Sequence, residues 1–281
     1  MTFSSHRRFL RAALAVFAGL LIGACGKQPE PAPAPKAEPA KAAAPAPAPA
    51  RIYTVGTDAA YAPFESQNEK GEIVGFSVDL MRAVAARAGM EVKFVNTPWE
   101  GIFNTLAQGD RDLLISSITI TDERRQSMDF SDPYFDAHQL IAVPEKSKVA
   151  KFDDLTKLKV GVQTGTTGDE VVSKLLGKNN TNVKRFESTP LALKELESTG
   201  VDAVVADNGV VINYVANNSN ARFRTVNDPA FAPERYGIAV KKGNAELLGR
   251  INKALADIRA DGTYEKIYTQ YFGAKAVAEN K

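Results

Sequence analysis

Polar side chains fall at regular places along this chain, each just after a short β-branched run: Asp58, the group Ser116, Ser117 and Thr119, Gln163 with Thr166 and Thr167, and Asp207. Arg124 completes the set. In an α/β chain such positions are the carboxyl ends of strands, where ligands are held. The types present suit a small zwitterion such as an amino acid. A carboxylate asks for a bidentate cation and N–H donors, a need that Arg124 with the backbone amides of Thr119 and Thr167 can meet. An ammonium asks for a carboxylate and neutral acceptors, a need that Asp207 with Ser117 and Thr119 can meet. Covalent and metal chemistry have little to draw on. The chain has two histidines, His6 and His138, and no Gly-x-Ser-x-Gly elbow. It also lacks a Cys or His cluster at metal spacing and a Gly-x-Gly-x-x-Gly or Walker loop after a strand. The run 165–168, between a strand and a helix, is at most a small anion site whose N–H groups suit a carboxylate. No catalytic residue, metal or cofactor is therefore expected.

These groups need a scaffold, and from Arg51 onward the sequence alternates β-branched runs with helical patterns punctuated by glycine. Strands are predicted over 52–56, 92–95 and 113–116, and helices over 78–88 and 100–108, ended by Gly89 and Gly109. A second series repeats the order: strands over 159–162, 183–186 and 203–206, helices over 169–176 and 191–198. Two such units predict an α/β protein of two lobes, each a mainly parallel sheet flanked by helices, with the site in the cleft between them. A strand over 236–241 and a helix over 245–259 follow, the helix burying Leu247, Leu248, Ile251, Leu255 and Ile258. Periodicity does not say where that tail docks. Hinge crossings are expected at 139–142 and 234–236. The expected division is lobe 1 over 51–138 and 237–275, and lobe 2 over 143–233.

The 281 residues are 44% hydrophobic and 24% charged, an ordinary globular balance that argues against a fibre, a polytopic membrane protein or a disordered chain. Six of the 35 basic and two of the 33 acidic residues precede Arg51, leaving 29 against 31 from there onward. A body of that charge offers no general footprint for nucleic acid. Ahead of it, Arg7, Arg8 and Arg11 lead into an apolar or small run over 12–24 and then Cys25, the only cysteine. That is a signal-peptide pattern over 1–24, its apolar run shorter than the roughly 20 residues a bilayer span needs. Residues 26–50 hold eight of the fifteen prolines and ten alanines, the composition of an extended spacer with no core to bury.

Six ordered motifs carry a family resemblance: TDAAYAPF (57–64), GEIVGFSVDL (71–80), SSITITDER (116–124), FSDPYF (130–135), GVQTGTTG (161–168) and ADGTYEKIYTQYFG (260–273). They resemble the family 3 extracytoplasmic solute-binding proteins, the polar and basic amino-acid receptors of ABC importers. The resemblance implies a type II periplasmic-binding-protein fold with two hinge crossovers, closing on one L-amino acid and docking on a permease. By position, Arg124 matches the family's α-carboxylate ligand and Asp207 its α-ammonium ligand. Tyr61 and Trp99 match the aromatic walls, and Asp58, Ser116 and Gln163 match positions at the far end of the ligand side chain. The Leu21-Ile22-Gly23-Ala24-Cys25 run resembles a lipobox, implying a lipid on Cys25 over residues 25–50 as tether; ordinary cleavage after Ala24 with a free thiol is the alternative.

Ser116-Ser117 resembles lysine/arginine/ornithine and histidine receptors, and the 163–167 run is closer to arginine receptors. A basic ligand is therefore expected, arginine first, with cation–π contact to Tyr61 and Trp99 and a charge partner in Asp58. Glutamine follows, because Asp58 also accepts an amide N–H. Singly, each residue also has an ordinary role: Asp58 as a turn former, Tyr61 and Trp99 as core aromatics, Asp207 as an N-cap. A cyclohexadienyl dehydratase-like enzyme is the rival from another class. It needs a cleft acid, and no spare glutamate stands at the matched positions. A sensor module is a further rival, which the lack of a membrane helix or cytoplasmic domain after Lys281 disfavours. The expected state is a monomer, extracytoplasmic and attached to a membrane by its lipid alone.

Overall fold

A computed structural model describes residues 51–273. The expected signal segment, Cys25, the spacer and residues 274–275 of lobe 1 lie outside the described residues. The chain begins with Ile52–Thr57 (β1), followed by a small antiparallel sheet of Ala60–Tyr61 (β2), Glu65–Gln67 (β3) and Ile73–Val74 (β4). Strands of two or three residues carry no readable period, so this sheet was not expected. It ends at Gly75, whose φ is 134° and where a Cβ would meet the Phe64 carbonyl oxygen at 2.1 Å. Only glycine meets both demands. Phe76–Arg87 (α1), Glu91–Asn96 (β5), Ile102–Gln108 (α2) and Leu113–Leu114 (β6) then complete the first strand–helix series, with β5 and β6 parallel to β1.

Asp122–Ser127 (α3), Met128–Phe130 (β7) and Phe135–Ala137 (β8) lead to Gln139–Pro144 (β9), where the chain joins a second sheet. Its parallel core is Val160–Gln163 (β10), Val183–Phe186 (β11) and Ala203–Asp207 (β12), connected by Thr167–Leu176 (α4) and Thr189–Glu197 (α5). Asn208–Asn217 (α6) and Phe223–Val226 (β13) finish that sheet. The return runs through Glu234–Tyr236 (β14) and Ala239–Lys241 (β15) to Ala245–Ala260 (α7) and Thr263–Phe272 (α8).

The two sheets have the orders β5-β1-β6-β15-β7 and β11-β10-β12-β9-β13. In each, a parallel triple is flanked by an antiparallel strand that comes from outside its own strand–helix series, β15 in the first and β9 in the second. The first sheet is therefore completed only when the chain returns through β15, whereas all strands of the second lie within residues 139–226. Helix α7 buries Leu247, Ile251, Ala254, Leu255 and Ile258 in the first sheet's core with Leu80, Met81 and Val84 of α1, which answers where the tail docks.

Two expectations need correction. Residues 139–142, expected as a crossing, form β9 inside the second sheet: Ile141 and Ala142 are fully buried, and the strand is paired with β12 on one side and β13 on the other. An apolar run of this length reads equally as connector or core strand, and pairing on both edges decides it. The crossing lies earlier, where β8 pairs antiparallel with β14, Phe135 opposite Tyr236 and Ala137 opposite Glu234. The strand expected over 236–241 is correspondingly two, because the chain changes partner between β14 and β15.

Candidate functional site

The eleven cleft residues singled out from the sequence line one cavity between the two sheets. Cys25 lies outside the described residues. From the first sheet, Asp58 follows β1 and is fixed by its backbone N–H, which donates to Ser116 Oγ at 2.9 Å, while the Ala59 N–H donates to Asn96 Oδ1 at 3.0 Å. Ser116, Ser117 and Thr119 lie just past β6, all buried, and Ser117 has a left-handed φ of 49°. Thr121 then caps α3 by accepting the Arg124 N–H at 3.1 Å. That cap points the Arg124 side chain into the cleft.

Arg124 is only 9% exposed. Its Nη1 donates to the Thr119 carbonyl at 2.9 Å and its Nη2 to the Gly165 carbonyl of the other lobe at 3.4 Å. The guanidinium also lies 5.4 Å from the Trp99 ring centre and 5.3 Å from that of Phe103. Rings and neutral carbonyls hold the cation and no carboxylate forms an ion pair with it, so an anion arriving in the cavity finds its guanidinium without a direct acidic partner.

From the second sheet, Gln163 ends β10. Its Oε1 accepts from Thr189 Oγ1 at 3.0 Å, and its Nε2 donates to the Glu187 carbonyl at 3.1 Å and to Asp58 Oδ2 at 3.4 Å. Thr166 is the N-cap of α4, accepting the Asp169 N–H at 3.2 Å and donating to the Gln163 carbonyl at 2.9 Å. The Gly165 N–H is taken by the Asp169 carboxylate at 3.1 Å, so the anion site expected over 165–168 narrows to the first turn at Thr167. Asp207 ends β12 at the start of α6 and makes no side-chain cap, so its carboxylate remains in the cleft. Tyr61 OH of the first lobe donates to Asp207 Oδ2 at 2.8 Å, and Tyr236 OH donates to the same oxygen.

Two residues that sequence reasoning missed complete this end of the cavity. Gln139, at the start of β9 and 1% exposed, donates through Nε2 to Asp207 Oδ1 at 2.5 Å and to Glu234 Oε1 at 2.9 Å. Glu234, on β14, also accepts from Thr119 Oγ1 at 2.6 Å and from Thr167 Oγ1 at 2.9 Å. No glutamate stands among the residues that line the cavity, but Glu234 lies directly behind them, bonded to Thr119, Thr167 and Gln139. Its place depends on β14 pairing with β8, which no local pattern announces. The one sequence signal was a charge inside an expected crossing.

Burial dominates the electrostatics. Desolvation pushes Asp207 up to about 6, and the charge of Glu234 adds to the rise, against hydrogen bonds from Tyr236, Tyr61 and Gln139. Asp58 is raised chiefly by burial and slightly by Glu187, while Gln163 and the Trp99 amide pull it back. Burial likewise lowers Arg124, opposed by the carboxylates of Glu170, Asp207, Glu234 and Glu123. The two poles of the cavity are thus the buried Arg124 cation and the buried Asp207 carboxylate, whose hydrogen-bond partners are all neutral. Among the described residues no cluster of three or more His, Cys, Asp or Glu is placed to hold a metal, and no helix is long and apolar enough to cross a membrane.

The family model for bacterial extracellular solute-binding proteins, family 3, matches residues 53–274. A probable histidine-binding protein of Neisseria gonorrhoeae is 47% identical over 267 residues, covering 95% of this chain and 96% of its own. The structure of the arginine-, lysine-, histidine-binding protein ArtJ from Geobacillus stearothermophilus aligns with a TM-score of 0.77 at 46% identity, covering 79% of this chain and 96% of that one. An ancestral arginine-binding protein bound to arginine aligns with a TM-score of 0.76 at 44% identity, covering 79% and 98%. The fold is that of the type II periplasmic binding proteins, with two sheet-containing lobes.

Proposed function

Because this chain belongs to family 3 of the bacterial extracellular solute-binding proteins, we propose that it captures a basic L-amino acid for an ABC importer, arginine before lysine, ornithine and histidine. The observation that carries the reading is the pair of opposed poles. Arg124 bonds only neutral carbonyls, and Asp207 receives only neutral donors, so each still asks for the charge that an amino acid's backbone brings. The α-carboxylate goes to Arg124 and the Thr119 and Thr167 amides, and the α-ammonium to Asp207. The side chain runs between Tyr61 and Trp99 toward Asp58. A cationic end suits Asp58 better than an amide, because the half-buried carboxylate has only the neutral Gln163 and Trp99 amides against it. The likeness to relatives described as histidine-binding or as arginine-, lysine-, histidine-binding points the same way.

Capture proceeds by closure about the β8–β14 crossing, since Arg124 and Asp207 belong to different lobes and neither lobe alone satisfies both ligand charges. Hydrogen bonds to charged groups are worth about 1.5–3 kcal/mol each, so several of them support a micromolar or tighter Kd, about −8 kcal/mol or beyond. The closed form docks on the permease and releases its cargo as the lobes part. The lipobox-like run ending at Cys25 and the Pro/Ala spacer fit an extracytoplasmic receptor tethered by lipid, acting as a monomer.

A dehydratase reading draws on Glu234 as an acid, but that carboxylate is already engaged by two hydroxyls and an amide. Turnover of prephenate or arogenate by the purified protein would revive it. The direct test is thermal unfolding of refolded, ligand-stripped protein against the twenty L-amino acids. A ligand at a thousandfold excess over Kd adds about 4 kcal/mol of stability. Arginine and lysine should shift the midpoint; Arg124→Ala should remove every shift, and Asp58→Asn should weaken arginine and lysine more than glutamine. Equal losses for the three ligands in Asp58→Asn would refute the basic-ligand assignment.

A further inference from the structure

We infer that Glu234 is a positioning residue that makes the cleft select an α-ammonium group, by fixing which way two threonine hydroxyls point. Glu234 lies outside the residues that line the cavity, on the strand by which the chain returns to the first sheet. Its Oε2 is 2.6 Å from Thr119 Oγ1 and 2.9 Å from Thr167 Oγ1, and both threonines line the cavity, one from each lobe. In both bonds the threonine hydroxyl is the donor and the carboxylate oxygen the acceptor. A hydroxyl has one hydrogen and two lone pairs. With the hydrogen committed to Glu234, what remains for the cavity is an acceptor.

Gln139 makes the arrangement one-sided. Its Nε2 has two hydrogens and three acceptors in range, Asp207 at 2.5 Å, Glu234 at 2.9 Å and Thr167 Oγ1 at 3.2 Å. The two carboxylate oxygens, closer than the threonine hydroxyl, take both hydrogens. Thr167 therefore keeps lone-pair capacity, as Thr119 does, and the amide bridges two acids that would otherwise repel. Asp207 with the two threonine oxygens then forms a pole made of acceptors alone. An ammonium, which only donates, fits such a pole. An α-keto oxygen, which only accepts, does not, and an α-hydroxyl uses one hydrogen where an ammonium uses three. Were the threonines free to rotate, either could turn its hydrogen inward and accommodate those groups.

The inference rests on the reading that the site takes an α-amino acid. The test is calorimetric titration of the full chain, wild type, Glu234→Gln and Thr119→Val, with L-arginine and with 5-guanidinopentanoate, the same molecule without its α-amino group. In Glu234→Gln the new amide can donate to a threonine, whose hydrogen then faces the ligand's ammonium. Arginine affinity should fall about tenfold or more, while that of the des-amino analogue falls clearly less, so the ratio of the two narrows. Thr119→Val removes one of the oriented acceptors, leaves Glu234 in place and should narrow the ratio likewise. Losses equal for both ligands in either variant would make Glu234 a merely structural residue and overturn the inference. If wild-type protein binds neither ligand, it is the amino-acid reading that fails. A thermal midpoint for each variant certifies that it is folded, and if Glu234→Gln does not fold, Thr119→Val decides.

Discussion

Glu65 lies on β3 directly opposite Tyr61, fully buried, with no hydrogen-bond partner for either carboxyl oxygen. The hydroxyls of Ser77 and Ser117 lie near enough to favour its charged form somewhat, but neither meets hydrogen-bond geometry, and Asp58 and Asp207 act against ionisation. Burial decides the balance and holds its pKa well above the ordinary value of 4.5. The folded state thus keeps a proton that the unfolded chain releases above that value. The resulting stability is full below the ordinary carboxylate pKa and is lost as pH rises toward the folded pKa, at up to about 1.4 kcal/mol per pH unit. Glu65→Gln, neutral at every pH, should flatten this fall and be the more stable protein at pH 8, as read by urea unfolding at a series of pH values. Asp207 is raised too and contributes to the slope up to about pH 6, so the difference between wild type and variant is the quantity to follow. Parallel curves for the two proteins would mean that Glu65 is charged in the folded state.

Helix α6 meets the first lobe at a glycine. A Cβ on Gly209 would come within 2.6 Å of Phe64 Cζ, and that ring cannot swing aside, being fully buried with its centroid 4.8 Å from that of Phe135 and 5.5 Å from those of Tyr236 and Phe272. Val210, the next residue of α6, belongs to the same aromatic cluster. The contact joins elements of opposite lobes, so an added methyl acts on closure and leaves each sheet intact. Gly209→Ala should weaken arginine binding roughly tenfold or more, for an overpacking cost of about 1–3 kcal/mol, with little change in the ligand-free melting temperature. Unaltered affinity in calorimetry would show that the lobes bind ligand without this approach. The strand–helix series of both lobes was legible because periods of 2 and 3.6 run long enough to be counted. The β2–β4 sheet was too short for that, and β9 looked like a connector because an apolar run does not say how many of its edges are paired.

All the cavity-lining residues were legible from the sequence for a reason that belongs to the whole molecule: two α/β lobes put polar strand ends on facing edges, and the motifs keep their order along the chain. Gln139, Glu234 and Glu65 were not, since each acts through a neighbour that only the assembled lobes bring near. The same assembly places the chain's single tryptophan at the junction. Trp99 packs edge-on against Phe103 at 5.1 Å and beside the Arg124 guanidinium, and its Nε1 is 3.9 Å from where a Cβ on Gly165 of the other lobe would stand. Any ligand held between Tyr61 and Arg124 changes the surroundings of that indole, and so does any parting of the lobes. Titration with L-arginine should therefore alter Trp99 emission in a saturable way, with a midpoint equal to the calorimetric Kd. Arg124→Ala should abolish the change, and Gly209→Ala should move its midpoint to higher concentration while keeping its amplitude. Heat of binding without any change in emission would place the ligand away from this cleft and separate binding from closure.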